Sequence, residues 1–201
     1  RERQQKKVRQ KRKGEIRKEK RVIVMEEKRA IACKWLETAM EMEKKGKAFY
    51  DKSLKECENE QCKDVFRMLG EDEVVHMDRI NKIYETLQAG EPWCEDWKEM
   101  EPAHENLAGT VKEVAEKHGA EINAATDDIK ALEIGIDLED KSIEFYSSHM
   151  DQAEDPIERE FLEKMVAEEK SHHRALADMK LYLENPESWF SEKEKSHWDG
   201  A

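Results

Sequence analysis

Apolar residues along most of this chain recur at alternating steps of three and four, the period of a helix buried along one side. Four long stretches carry the pattern, at about residues 27 to 56, 60 to 89, 128 to 152 and 156 to 184. Gly90 with Pro92, Glu-Asp-Pro at 154–156 and Asn-Pro at 185–186 interrupt it, because proline cannot continue a helix. Nothing alternates as a strand does. The expected class is all-α, a four-helix bundle of antiparallel helices with two short turns and one long connection over about residues 90 to 127. That connection is long enough to cross the length of the bundle and holds a weaker helical piece around "GTVKEVAEKHG". Trp93 and Trp97 within it are expected to cover a bundle end.

The second stretch breaks its own pattern. Phe66, Leu69, Ile80, Ile83 and Leu87 form an apolar stripe whose middle places are taken by Glu73 and His76. The fourth repeats this: Leu162, Met165, Leu176, Met179 and Leu183 flank Glu169 and His172. In the first and third, Glu43 and Glu139 occupy stripe positions, each followed two turns later by a tyrosine, Tyr50 and Tyr146. Glu43 and Glu139, Tyr50 and Tyr146, Glu73 and Glu169, and His76 and His172 are all separated by 96 residues. The chain is thus an internal repeat of one helical hairpin, and the polar residues it retains in the stripe are mostly Glu and His.

Four carboxylates aimed into one bundle would be costly if unpaired, since each buried charge costs several kcal/mol and like charges repel. Two histidines cannot neutralise four glutamates. Two divalent cations would, with two Glu bridging and each ion taking one further Glu and one His. Glu-x-x-His suits this role because residues three apart share a helix face. Either motif alone is weak in a chain with 48 acidic residues and 7 His, but here both lie at matching positions, each preceded by a stripe Glu 30 residues earlier.

Charge adds an asymmetry. Residues 1 to 21 hold twelve Lys or Arg against three Glu, a net +9, so the remainder carries −21 of the chain's overall −12. So acidic a body is expected to repel nucleic acid and attract small cations. Residues 1–24 read as a basic tail, disordered or an extended helix, with the folded domain at 25–201. Its one apolar run, "VIVM" at 22–25, is too short for a membrane span, and a cytoplasmic protein is expected. Cys33, Cys57, Cys62 and Cys94 include no Cys-x-x-Cys pair. Cys57 and Cys62 could meet across a loop as a redox pair, although four reduced, inert thiols are expected.

At "EMEKKGKAFY", "EDEVVH", "LEDKSIEFY" and "AEEKSH" the sequence resembles the rubrerythrin family of the ferritin-like superfamily, over about residues 27 to 185. One Glu from each of two helices plus Glu-x-x-His from each of the other two is the ferritin-like di-iron pattern. The resemblance implies a ferritin-like bundle with its long crossover between helices two and three. It also implies two Fe ions per chain held by Glu43, Glu73, His76, Glu139, Glu169 and His172. Manganese tolerates the same ligands. It further implies a non-haem di-iron oxidoreductase that reduces hydrogen peroxide or oxygen. Rubrerythrins carry an extra glutamate one turn after the helix-three ligand, where this chain has Ser142, and a rubredoxin domain whose cysteines are missing here. Electrons would then come from an external donor such as a rubredoxin-like protein. Alternative readings are a ferroxidase or iron-handling protein, and a non-enzymatic helical interaction module using its basic arm.

The repetition of Tyr50 and Tyr146 favours hydroxyls that brace ligand carboxylates over phenols bonded to water or backbone. His173 is expected at the surface, and His104, His118, His149 and His197 outside any metal role. Met40, Met165 and Met179 read as core fillers. Asp72 and Glu168, each preceding a stripe Glu, are expected to be solvated or paired with a Lys. Trp189, Phe190 and Trp198 in the C-terminal segment should fold back on the bundle or dock on a second subunit, and a homodimer is expected.

Overall fold

The computed structural model describes residues 2–102, 104, 107, 109, 111–112 and 126–198. Five α-helices have both ends among the described residues: α1 (Glu2–Glu56), α2 (Glu60–Gln88), α3 (Thr126–Met150), α4 (Pro156–Glu184) and α5 (Pro186–Trp198). A 3₁₀ turn spans Asp96–Glu99, and no strand occurs among the described residues. The expected all-α bundle of two hairpins joined by a long crossover is what the chain forms. α1 packs most closely with α2, and α3 with α4.

The helix ends obey local chemistry. Asn59 caps α2 by accepting the Cys62 N–H at 2.9 Å, and Asp155 caps α4 by accepting from Ile157 at 2.8 Å, with Pro156 in the first turn. Gly90, at φ +86°, turns the chain out of α2 in a conformation that other residues adopt only with strain. Asp128 of α3 accepts from the Glu58 and Asn59 N–H groups at 3.1 and 3.0 Å, tying the α1–α2 turn to the second hairpin.

From Glu2 onward the basic stretch belongs to a helix continuous with the bundle. Its Lys, Arg, Glu and Gln are good helix formers, and no proline interrupts them. Nearly every side chain from 14 to 31 is exposed, including Val22, Ile23, Val24 and Met25, and α1 enters the core at Ala32. The Asn-Pro after α4 starts a further helix rather than a loop, with proline at the first position of α5. Trp189 folds back, buried against Tyr182 and Phe190. The Trp198 side chain and most of the helical piece expected at 109–119 lie outside the described residues. No helix among the described residues is long and apolar enough to cross a membrane.

Two apolar clusters form, one at each end. Tyr50, Phe66, Leu69, Leu132, Leu176, Met179 and Tyr182 belong to one. Trp35, Leu36, Ile80, Ile83, Tyr146, Phe161 and Met165 belong to the other, where Trp97 packs on Phe161 at 5.4 Å and Trp93 stacks on Trp35 at 5.9 Å. The crossover tryptophans therefore do cover a bundle end. Between the clusters lie the polar residues of the four stripes.

Candidate metal centre

Glu43, Glu73, His76, Glu139, Glu169 and His172 are all buried and come together in mid-bundle. His76 Nδ1 stands 3.2 Å from Glu43 Oε2, 3.3 Å from Glu169 Oε1 and 3.8 Å from Glu73 Oε2. His172 Nδ1 stands 3.3 Å from the other Glu169 oxygen and 3.7 Å from Glu139 Oε1. The two imidazoles lie face to face with centroids 5.3 Å apart, and Glu169 sits between their inner nitrogens. One atom each from Glu73, His76, Glu169 and His172 lies within 4.8 Å of the others, a group that could hold a metal ion.

Surrounding groups brace the cluster crosswise. Tyr50 on α1 donates its hydroxyl to Glu139 on α3, and Tyr146 on α3 donates to Glu43 on α1. His76 Nε2 meets Glu168 of α4 at 3.1 Å, and His172 Nε2 meets Asp72 of α2 at 3.5 Å. Of the two environments the sequence suggested for Asp72 and Glu168, solvent or a Lys partner, solvent is excluded for both. Both are buried because they precede an inward Glu on helices whose faces turn toward each other. Glu168 does pair with Lys164, at 3.2 Å, but it also accepts from Arg79, itself only 1% exposed. Arg79 Nε donates to the Met100 carbonyl at 2.7 Å, so one guanidinium links the crossover to the carboxylate behind His76. The His104 N–H donates to Asp72 at 3.1 Å while its ring contacts Glu71.

Other sequence-derived residues fall elsewhere. His173 is half-buried, 3.4 Å from Asp140, and His149 packs on Trp35 and Phe145. His118 and the His197 side chain lie outside the described residues. Met165 and Met179 are fully buried, Met40 packs partly buried against the core, and all four cysteines are free thiols.

Protonation follows from this crowding. Burial and the neighbouring Glu43 push the Glu73 carboxyl well above its usual range, and burial with Glu169 does the same to Glu139. Burial also acts to raise Glu169, but His76 and His172 outweigh it and hold that carboxyl well below the ordinary value. Against the lowering effect of burial, Glu169 and Glu168 raise His76 strongly, and Asp72 with Glu169 raises His172 to about 10. Burial and adjacent carboxylates push Tyr50 and Tyr146 well above the usual phenol value, so both keep their protons and act as donors. Among protein groups alone, the cluster limits its charge by holding protons that a cation would displace.

The donor set fits a metal. Glu73 Oε2, both Glu169 oxygens and His172 Nδ1 are buried without a hydrogen bond of good geometry, a costly arrangement for groups converging on one space unless a cation satisfies them. A cavity of about 300 Å³ between α1 and α3 reaches Glu43, Glu73 and Glu139 and is bordered by Gly46, Tyr50 and Ser142. Gly46 faces Glu73 so closely that a Cβ there would stand 3.1 Å from Glu73 Oε1.

Sequence reasoning missed Asp72, Glu168, Arg79 and Gly46. For the first two a signal existed, since they too are 96 residues apart. Arg79 corresponds to Ala175 and Gly46 to Ser142, so the repeat marks neither.

An all-α bundle of two repeated hairpins, with a Glu/His cluster between them that could hold metal, defines a ferritin-like architecture. A family profile described as Rubrerythrin matches residues 34–180, and the chain belongs to that family of di-iron ferritin-like proteins. No curated protein and no solved structure matches the chain.

Proposed function

We propose that this protein is a non-haem di-iron oxidoreductase that reduces hydrogen peroxide with electrons from an external donor. What carries the reading is the convergence of four carboxylates and two inward imidazole nitrogens on one buried space, with several of their atoms otherwise unsatisfied. Glu43, Glu73, His76, Glu139, Glu169 and His172 would hold two iron ions, which when ferrous supply the two electrons that cleave an O–O bond.

The remaining groups position and shield. Tyr50 and Tyr146 fix one oxygen of Glu139 and of Glu43, leaving the other free to turn inward. Glu168 and Asp72 hold the outer imidazole nitrogens, which aims each Nδ1 at the cluster and makes the ring a better ligand. Apolar clusters on both sides exclude bulk water, which strengthens the electrostatics between them. The α1–α3 cavity is large enough for a peroxide or oxygen molecule and has Ser142 on its wall. An external reductant, such as a rubredoxin-like protein, restores the ferrous state, and the working unit is a homodimer.

The test is to load the protein anaerobically with Fe(II) and mix it rapidly with peroxide or with oxygen. Oxidation by peroxide should be faster by about tenfold or more. Faster reaction with oxygen, with iron leaving the protein as a mineral, would replace this reading by the ferroxidase one.

A further inference from the structure

The α1–α2 turn carries a second reactive group, distant along both helices from the carboxylate cluster. Cys57 directly follows α1, its N–H still bonded to Ser53 O at 2.8 Å, and Cys62 is the third residue of α2. Only four residues separate them, both lie in the same apolar cluster, and the Cys57 thiol is among the groups that act on Cys62. Cys33 and Cys94 have other partners: Cys33 meets Gln88, and Cys94 accepts from the Thr86 hydroxyl at 3.5 Å.

We infer that Cys57 and Cys62 form a redox-active dithiol that hydrogen peroxide closes to a disulfide and an external thiol reopens. Cys57 Sγ lies 3.8 Å from the Asn59 carbonyl inside the turn, and a turn of four residues joins two buried thiols of one cluster, a span short enough for its backbone to bring the sulfurs to bonding range. Asn59 caps Cys62, and Asp128 accepts from two of the four intervening N–H groups, which keeps both cysteines at the same end of the hairpin.

The two sulfurs have different roles. Cys57 is 6% exposed and Cys62 fully buried, so the oxidant meets Cys57 first. The Cys57 thiolate attacks one peroxide oxygen; an S–O bond forms, the O–O bond breaks, and hydroxide leaves and takes up a proton to become water. Cys62 then attacks the sulfenic sulfur; the S–S bond forms, the S–O bond breaks, and the second water leaves with the Cys62 proton. Two thiols lose two electrons and peroxide gains them, with disulfide and two waters as products. The neighbouring Cys57, together with burial, holds the Cys62 thiol far above its ordinary range, so it keeps its proton until the sulfenic acid forms.

Trypsin cleaving after Lys55 and Lys63 releases both cysteines in one peptide, Glu56–Lys63. The full chain is treated with about tenfold excess peroxide, alkylated and digested. The expected product is this peptide lacking two hydrogens and carrying no alkyl group, restored to a doubly alkylated form by dithiothreitol. It should appear about tenfold faster than oxidation of Cys33 or Cys94. In Cys62→Ser, Cys57 should instead be trapped as a sulfenic acid by dimedone. A wild-type peptide that stays doubly alkylated, or that carries sulfinic acid at Cys57 without a disulfide, overturns the inference whether or not the variant folds.

Discussion

Arg79→Met removes the one buried guanidinium among the described residues while keeping most of the side-chain volume. A carboxyl held at about 2 rather than the ordinary 4.5 contributes about 3 kcal/mol of folding free energy at neutral pH. That depression works against burial and is shared between His76 and Arg79, so about half goes with the guanidinium. Arg79 also donates twice to the Met100 carbonyl, and each lost bond costs about 1 kcal/mol. The total is about 3.5 kcal/mol, toward the low end for breaking a buried ion pair because His76 and Lys164 stay with Glu168. Urea unfolding of wild type and variant at equal metal content, with m-values compared, measures it. Glu168 is depressed on folding, so its contribution is in force above about pH 4.5 and is lost as pH falls through 2. The gap between the two proteins should therefore narrow on acidification. A loss below about 1 kcal/mol at pH 7, or a gap that widens toward acid, would refute the claim that Arg79 sustains Glu168.

Gly46→Ala should leave the chain as stable or slightly more so, since alanine gains up to about 1 kcal/mol in a helix. Its Cβ would crowd Glu73, so iron affinity, followed by competition with a chelator, should fall by about tenfold. Tyr50→Phe and Tyr146→Phe should each weaken iron binding by about tenfold with unchanged helical circular dichroism; a loss in only one would show that the crosswise hydroxyls are not equivalent. Iron affinity should rise with pH, because raised Glu73, Glu139, His76 and His172 hold protons that compete with the cation, and titration calorimetry in two buffers should detect proton release.

The bundle was legible because its apolar stripes have one period and its punctuation is proline and glycine. The candidate cluster was legible for a different reason: a duplicated hairpin lets the chain be aligned with itself, and Glu and His retained at stripe positions have no structural use there without a partner. For Asp72 the expected solvation or Lys pairing failed, and for Glu168 only the Lys pairing held, because a residue beside a ligand position on a helix normally turns toward solvent. Here α2 and α4 face each other closely enough to bury that flank as well. Arg79 was invisible for a physical reason, since its partners are a carboxylate on another helix and a crossover carbonyl, neither of which helical spacing can locate. In the basic arm, helix propensity without an apolar stripe left coil and helix equally open, and the structure places those residues in the first turns of α1.

Counting iron tests the central claim most directly. The full chain, loaded with Fe(II) without oxygen and freed of excess metal, should hold two iron ions, an order-of-one stoichiometry set by about six ligands. Glu73→Ala and His172→Ala should each lose at least one ion while keeping their helical circular dichroism. Wild type that binds none, or variants that both retain the full complement, would contradict a di-iron centre at these residues.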